Sequence, residues 1–312
     1  MTKSQICIGT RGSPLALAQT GMVRAALIAA HPDLVGEDAI AIEIIRTTGD
    51  KVFDRPLADI GGKGLFTKEI DEAMLAGRID LAVHSMKDVP TWLPDGIVIP
   101  CYMEREDPRD AWIGSGPGGL DELPSGAVVG TASLRRASQL LHRRPDLTVV
   151  PLRGNVGTRI DKVAAGEVAA TLLALAGLKR LGRADAATAI LETDVMLPAI
   201  AQGAVGIACR ADDARAHALL APLAHAETAI QVTAERALLA RLDGSCRTPI
   251  AGLAQIDTAN QTLSLKGLVA KTDGSQVIAL EEQGPVTAAA DTGAALGDRL
   301  LAEAGPGFLT GE

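Results

Sequence analysis

The residues with the clearest capacity for chemistry lie where a predicted strand ends. Apolar residues alternate through residues 79–83 in the way typical of a short strand, and Lys87 and Asp88 follow it. Pro90 closes the segment, because proline cannot donate to a strand ladder. In open α/β sheets, ligands bind in the crevice beyond the carboxyl ends of the strands. The pattern predicts a cation and a carboxylate at a binding crevice, with an exposed ion pair in a turn as the alternative.

Four arginines lie near the predicted starts of two helices in the middle of the chain. Arg135 and Arg136 follow Ser133, a predicted N-cap, and Arg153 and Arg159 flank a segment that holds two glycines. An arginine at a helix start opposes the helix dipole, so this placement is unfavourable unless an anion lies nearby. Planar guanidinium groups bind carboxylates through two parallel hydrogen bonds. The sequence therefore predicts a site for an anion near these two helix starts.

The N-terminal part of the chain carries a related pattern. Residues 8–19 and residues 128–139 each combine a strand end, a Gly-Thr pair, a serine suited to cap a helix and a helical sequence. Ser13 and Pro14 are typical of the N-cap and first helical positions, where free backbone N–H groups could bind an anion together with Arg11. A plain capped helix is the alternative. The repetition predicts two domains of similar topology.

Composition excludes several classes of protein. Hydrophobic residues make up 47% of the 312 residues and aromatic residues only 2%, so a nucleic-acid surface built on stacked aromatic rings is not expected. The net charge of −8 argues against a polyanion as partner over the whole surface. Residues 169–178 form the most apolar run, which is too short to cross a bilayer, and no signal-peptide pattern is present. We expect a soluble, cytoplasmic protein with no membrane partner.

The four cysteines are scattered, without the spacing of a zinc site, so we expect reduced thiols and no metal. Cys7, Cys101 and Cys209 lie within strand patterns, where a cysteine is by default a quiet buried residue. Cys246 instead lies on a predicted Gly/Ser loop beside Arg247, which favours its thiolate. The sequence therefore identifies Cys246 as the cysteine with chemical potential.

Strand and helix patterns alternate along most of the chain, which predicts sheets covered by helices. The charged run at 104–110 predicts a crossing between domains, and residues 198–204 predict a return that adds a strand at 205–209 to the first sheet. A hairpin signal at Asp273-Gly274 lies among the last three predicted strands. The expected fold class is α/β with mixed sheets and three domains: residues 1–103 with 200–221 as a first α/β lobe, 104–199 as a second α/β lobe, and 222–312 as a small α+β C-terminal domain.

Seven segments, taken in order, resemble the motifs of the porphobilinogen deaminase family, also called hydroxymethylbilane synthases, and the match runs nearly end to end. Three departures from the family pattern are Ala132, Ala201 and Ser245, and none removes a charged group. The segments are Thr10–Ala16, Gly61–Phe66, Val83–Pro90, Glu104–Asp110, Ser133–Arg136, Leu152–Arg159 and Cys246.

The resemblance implies an enzyme of tetrapyrrole synthesis. Its members join four porphobilinogen molecules head to tail, release ammonia and yield hydroxymethylbilane. It also implies one covalent dipyrromethane cofactor per chain, held by a thioether on Cys246, and a monomer whose first two domains resemble a periplasmic binding protein. Three glycines around Lys63 predict a flap between Gly49 and Gly64, and their spacing does not fit a phosphate-binding loop.

The chemistry of this reaction assigns roles to the residues of those motifs. Porphobilinogen carries an acetate and a propionate arm, which suits arginine forks, and its pyrrole ring becomes cationic when ammonia leaves, which suits a carboxylate. Asp88 is the expected catalytic residue. The residues expected to bind the cofactor or the substrate are Arg11, Ser13, Lys63, Phe66, Ser85, Lys87, Thr131, Ser133, Arg135, Arg136, Arg153, Gly154, Asn155, Arg159 and Gln202.

Two other classes of function remain open from the residues alone. A two-lobed binding protein that captures a carboxylated ligand would use the same arginines but would need neither Asp88 nor Cys246. A hydrolase with a cysteine nucleophile would need a histidine near Cys246, and no readable motif supplies one.

Overall fold

The computed structural model describes residues 6–36, 38–51, 64, 66–114, 116, 119–244 and 248–309. None of the described helices is both long enough and apolar enough to cross a membrane. The strands are β1 (Ile6–Thr10), β2 (Ile40–Ile44), β3 (Leu81–Ser85), β4 (Ile97–Tyr102), β5 (Asp110–Gly114), β6 (Val128–Gly130), β7 (Thr148–Val150), β8 (Ala170–Ala174), β9 (Ala189–Leu191), β10 (Val205–Arg210), β11 (Ile250–Asp257), β12 (Thr262–Ala270) and β13 (Val277–Pro285). The helices are α1 (Pro14–Ala30), α2 (Thr48–Lys51), α3 (Lys68–Leu75), α4 (Leu134–Arg143), α5 (Val156–Ala164), α6 (Leu175–Arg180), α7 (Ala214–Leu220), α8 (Ala226–Arg241) and α9 (Ala289–Ala304).

Residues 1–106 and 204–229 form the first of two compact units. Its sheet has the strand order β2-β1-β3-β10-β4. Strand β1 is parallel to β2 and β3, whereas β10 is antiparallel to β3 and β4. The late strand β10 therefore returns to the first sheet, which confirms the prediction made for residues 205–209.

Strand β3 is buried on both faces of this sheet. Val83 packs in one core with Leu27 of α1, whereas Ala82 packs in another with Met74 of α3. Side chains of a strand point alternately to opposite faces, so each face of β3 meets a different helix. A short 3₁₀ turn, Met86–Asp88, follows directly. The polar residues that follow β3 therefore lie at the carboxyl end of the strand, between two helical layers.

Residues 107–203 and 230–312 form the second compact unit. Its five-stranded sheet has the order β7-β6-β8-β5-β9. Strand β6 is parallel to β7 and β8, and β5 is antiparallel to β8 and β9. Strand for strand, this arrangement repeats that of the first sheet, which confirms the predicted similarity of topology.

The charged run at 104–110 was predicted to be a crossing, and this interpretation is wrong at its last residue. Asp110 begins β5 and is 0% exposed, as are Ala111 and Trp112. The charges before Asp110 hide the start of a strand that has only three apolar residues. Strand β9 also has no clear signal in the sequence, because it is only three residues long.

The remainder of the second unit is a small α+β arrangement. Strands β11, β12 and β13 form an antiparallel sheet, and Gly274 turns the hairpin between β12 and β13 with a φ of 73°. The predicted fold class, with two mixed α/β sheets and a small C-terminal α+β part, is confirmed. The domain boundaries at residues 103, 199 and 221 stay predictions.

Alanine substitutions at two glycines within helices test this packing, because one should lower the free energy of unfolding and the other should raise it. A Cβ at Gly293 of α9 would collide with the carbonyl oxygen of Ala234 on α8 and would lie 2.8 Å from the Cβ of Ala237, whereas a Cβ at Gly21 of α1 would meet no described atom within 4 Å. Gly293→Ala should lower the free energy of unfolding by about 1–3 kcal/mol, because two backbones must separate. Gly21→Ala should raise it by about 0.5–1 kcal/mol. Urea unfolding measures both changes. If both variants changed the free energy of unfolding in the same direction, the close contact of α8 and α9 would be contradicted.

Candidate active site

A pocket in the first unit lies at the carboxyl ends of β1 and β3. Its apolar walls are Leu15, Ala16, Val83 and Val89. Its polar lining consists of a cation, a carboxylate, an imidazole, an amide and three hydroxyl groups, and the Phe66 ring also lines it. The polar groups belong to Arg11, Ser13, Gln19, Thr67, His84, Ser85 and Asp88. Lys87 is not among the described residues that line it. The predicted crevice beyond the end of β3 is therefore present.

The N-terminus of α1 forms one side of this pocket. Ser13 caps the helix, with its Oγ accepting a hydrogen bond of 3.3 Å from the backbone N–H of Ala16, and Pro14 is the first helical residue. The guanidinium of Arg11 lies over the Phe66 ring, 4.1 Å from the ring centroid. A cation over an aromatic face is attracted by the ring quadrupole. The ring therefore helps to hold the Arg11 guanidinium in the pocket that the N-terminus of α1 also lines.

Asp88 lies at the end of the 3₁₀ turn that follows β3. The residue is half-buried and lines the pocket. Within the part of the chain that the structure describes, its carboxylate makes no hydrogen bond and no ion pair. A carboxylate held on a turn without a protein partner is available to a donor or a cation in the pocket.

The floor of the pocket contains two residues that sequence patterns do not single out. Gln19 of α1 is 2% exposed, and its carboxamide holds the Ser85 hydroxyl, with Nε2 2.9 Å and Oε1 3.0 Å from Ser85 Oγ. His84, the residue before Ser85, is 7% exposed. The available signals are a long polar side chain in a mainly apolar helix and a histidine inside an apolar strand pattern.

In the second unit, Arg135 and Arg136 bind a carboxylate that belongs to the protein itself. Both side chains are buried, and their Nη2 atoms lie 2.7 Å and 2.8 Å from the two carboxylate oxygens of Asp110. Arg135 also donates to the carbonyl oxygen of Leu197, and Gln202 donates to Asp110 Oδ1 at 2.9 Å. The anion that the arginines at this helix start require is therefore present in the fold. Their role toward an external carboxylate stays a prediction.

The charges of this buried cluster depend on one another. Burial alone would raise the pKa of Asp110, but the adjacent guanidinium groups of Arg135 and Arg136 overcome that effect and hold the pKa well below its usual range. Burial lowers the pKa of Arg135, yet a guanidinium stays protonated at neutral pH. Two positive groups share one negative group, and the Nε atoms of Arg135 and Arg136 are buried without a hydrogen-bond partner among the described residues.

The second pair of predicted arginines lies at the start of α5. Asn155 caps this helix by accepting a hydrogen bond of 2.9 Å from the N–H of Thr158, and Gly154 has a φ of 121°, which favours glycine. Arg159 is half-buried, with its Nε 3.4 Å from the Asn155 carbonyl oxygen. Arg153 is half-buried and makes no hydrogen bond or ion pair with any residue that the structure describes. Arg153 is thus the arginine of this group with the most capacity for a ligand.

The start of α4 has the predicted cap. Ser133 Oγ lies 3.4 Å from the N–H of Arg136, and Thr131 Oγ1 accepts a hydrogen bond of 3.2 Å from the N–H of Ser133. Each hydroxyl oxygen therefore accepts one hydrogen bond from the local backbone and keeps its own O–H donor. Lys63 and Cys246 lie outside the described residues, as does most of the predicted flap. Across the described ranges, no group of three His, Cys, Asp or Glu side chains is placed to hold a metal ion.

Comparison with known proteins places these features in one family. Residues 6–218 match the family described as porphobilinogen deaminase, dipyromethane cofactor binding domain, and residues 229–302 match the porphobilinogen deaminase C-terminal domain. A chloroplastic porphobilinogen deaminase of Oryza sativa is 56% identical over 98% of this chain and 86% of its own length. The porphobilinogen deaminase of Paracoccus denitrificans is 54% identical over 98% of this chain and 97% of its own. Among solved structures, an ABC transporter from Parabacteroides distasonis is similar over 75% of this chain and 76% of its own, with 14% identity and a TM-score of 0.42.

The fold and the pocket define a mixed α/β protein with a polar ligand site at the carboxyl ends of its strands. The chain belongs to the porphobilinogen deaminase family.

The cluster around Asp110 gives a prediction for stability. Asp110→Asn should lower the free energy of unfolding by about 3–5 kcal/mol, because two buried guanidinium groups lose their shared counterion. The native pKa of Asp110 is depressed, so its contribution is complete above the pKa of the unfolded carboxyl, about 4, and is lost as the pH falls. The difference between wild type and variant should therefore shrink in acid. Urea unfolding at a series of pH values measures it.

Asp121→Asn provides the matched control. Asp121 pairs with Arg143 at the surface, where the side chains are 67% and 44% exposed. Its loss should change stability by less than about 1 kcal/mol. Equal effects of the two substitutions would show that the Asp110 cluster does not support the fold.

Proposed function

We propose that this chain is an active porphobilinogen deaminase, which joins four porphobilinogen molecules with release of ammonia to give hydroxymethylbilane. One observation carries the assignment of chemistry to the pocket: the Asp88 carboxylate makes no hydrogen bond or ion pair with a described residue, in a cavity that Arg11 and the start of α1 also line. The relatives are enzymes, so family membership favours catalysis over the alternative of a binding protein that leaves its ligand unchanged.

Asp88 serves the chemical step. The pyrrole ring becomes cationic when ammonia leaves and again after the new carbon–carbon bond forms, so an adjacent carboxylate stabilises both states. The absence of a described protein partner supports this role, because a carboxylate already paired within the fold would have less charge to offer.

The arginines serve binding. The acetate and propionate arms are anionic before and after reaction, so their partners stabilise ground and transition states alike. Arg11 of the first unit lines the pocket, and Arg153 of the second unit has no hydrogen bond or ion pair with a described residue. The buried Nε donors of Arg135 and Arg136 could bind further acceptor atoms. Ser13, Phe66, Ser85, Lys87, Thr131, Ser133, Gly154, Asn155, Arg159, Gln202 and Lys63 complete the proposed set of cofactor and substrate contacts.

The proposed cofactor is a dipyrromethane on Cys246, one per chain. The donors near the starts of α4 and α5 fit such a group, since each of its rings carries carboxylate arms and the unpartnered Arg153 together with two buried Nε donors would receive them. When bound, the cofactor supplies the primer to which substrate rings are added. The residues of this chain bind and orient it through their charges.

We further propose that the protein is a monomer that works in the cytoplasm and has no nucleic-acid or membrane partner. The described cysteines are free, and burial raises the pKa of the Cys101 and Cys209 thiols to about 11, which suits reduced, unreactive side chains. The net charge of −8 disfavours a nucleic-acid partner.

Asp88→Asn should lower turnover by about 10²–10³ while cofactor loading, checked by intact mass, is complete. Asparagine retains the shape and an oxygen but lacks the charge. Asp88→Glu keeps the charge on a longer arm, so it should retain more activity than Asp88→Asn. The exposed Asp95 provides a control, because Asp95→Asn should leave turnover unchanged. A fully loaded Asp88→Asn enzyme with wild-type turnover and only a raised KM would make Asp88 a binding residue.

The cofactor assignment is tested by mass alone. Purified wild-type protein should carry an added mass of two linked pyrroles, and peptide mapping should place it on Cys246. Cys246→Ser should lack the adduct, and Cys7→Ser should retain it. An adduct on Cys7, Cys101 or Cys209, or active enzyme with no adduct, would remove the assignment.

A further inference from the structure

His84 is a polar residue of the pocket to which no role has yet been given. It is the fourth residue of β3, is 7% exposed and lines the same pocket as Arg11, Ser85 and Asp88. Alternation along β3 places His84 on the face of Ala82, toward the α3 layer, whereas Ser85 contacts α1 through Gln19. The imidazole therefore occupies the side of the pocket opposite the Gln19–Ser85 pair.

Neither ring nitrogen of His84 has a hydrogen-bond partner in the part of the chain that the structure describes. Buried polar groups are nearly always hydrogen-bonded, since leaving one unpaired costs the free energy of its lost solvation. His31, His142 and His225, which are half-buried or exposed, have partners at 2.9 Å, 3.0 Å and 2.9 Å, whereas His217 has a buried Nε2 with no partner among the described residues. A core histidine kept only for packing would be expected to find such a partner. Because His84 also lines a pocket, a molecule that enters the pocket can supply the hydrogen-bond partner that the described residues do not.

The protonation state limits what that molecule can offer. Burial, and then the nearby charge of Arg11, lower the pKa of His84 to about 4. The imidazole is therefore neutral at pH 7, with one nitrogen that donates and one that accepts. It supplies a hydrogen-bond acceptor with no negative charge of its own, in a pocket that the carboxylate of Asp88 lines together with Arg11.

The chemistry of porphobilinogen leaves one group to be matched with this acceptor. The carboxylate arms suit Arg11 and the start of α1, the cationic ring suits Asp88, and the Ser85 hydroxyl is held by Gln19. The remaining polar group is the aminomethyl group, which is an ammonium at pH 7 and can only donate. We propose that His84 accepts a hydrogen bond from the aminomethyl nitrogen of porphobilinogen and so orients the leaving group in this pocket.

This inference rests on the proposed function and predicts a division of labour within the pocket. The contact is made to the ammonium of the bound substrate and is not strengthened as neutral ammonia departs. It therefore contributes to substrate binding more than to the rate of the chemical step. Loss of His84 should raise KM, whereas loss of Asp88 should lower turnover.

The test compares two ligands in cofactor-loaded enzyme. His84→Phe keeps a planar ring but has no acceptor, and it should raise KM for porphobilinogen by about tenfold or more, with turnover changed by less than about threefold. The inhibition constant of an analogue that carries methyl in place of aminomethyl should be the same for wild type and His84→Phe. His84→Asn and His84→Gln restore an acceptor near one ring nitrogen or the other, and at least one should bring KM back to within a few fold of wild type.

A second measurement does not depend on the folding or loading of His84→Phe. In enzyme with ¹⁵N-labelled histidine and the slow Asp88→Asn substitution, porphobilinogen should shift the His84 nitrogen resonance, and the methyl analogue should not. An equal loss of affinity for both ligands, an unchanged KM in His84→Phe, or an identical shift with both ligands would overturn the assignment of His84. Wild-type enzyme with no activity toward porphobilinogen would instead remove the proposed function, so the two failures are distinguishable.

Discussion

The burial of β3 on both faces is the constraint on which the pocket of the first unit depends. Because Val83 faces the α1 layer and Ala82 faces the α3 layer, the strand cannot shift its register without placing apolar side chains in the wrong layer. The turn that follows is thereby held at the edge of the sheet. A carboxylate on this turn keeps its position without needing a hydrogen bond of its own, which leaves Asp88 open to a ligand.

The two units deal with their arginines in different ways. Arg11 lies over the Phe66 ring and lines the pocket, so an aromatic face contributes to its orientation. Arg135 and Arg136 are buried against Asp110, which balances one of their two positive charges. A buried cluster that retains one positive charge is costly unless further acceptors reach it. This physical demand supports a carboxylated ligand in the second unit, while Asp110 preserves the fold in its absence.

The pocket of the first unit combines groups of different charge within a small space. Under the proposed function, a guanidinium, a carboxylate and a neutral imidazole each match a different part of one substrate, and the neutrality of His84 follows from its burial and from Arg11. The binding of anionic arms, the stabilisation of a cationic ring and the orientation of the leaving group can therefore be assigned to separate side chains. Separate assignment is what makes effects on KM and on turnover distinguishable.

Local patterns by themselves determined much of this protein. The caps of α1 and α4, the alternation that defines β1 and β3, the return of β10 and the hairpin at Gly274 all depend on residues close together in the chain or on a simple count of elements. Motifs in order also identified the family. They singled out the arginines and Asp88 as well, whose roles stay predictions. Each of these features can be recognised before any contact is known.

Only the tertiary structure decided which polar groups are already satisfied. Asp110 lies 26 positions before Arg136, inside a charged run that resembles a loop, and no spacing rule connects the two. Gln19 and Ser85 are 66 positions apart. That His84 has no hydrogen-bond partner among the described residues depends on every described element that packs around it. Hydrogen-bond partners and burial are properties of the packed chain, because they depend on which surfaces meet, and that information is not contained in any one segment.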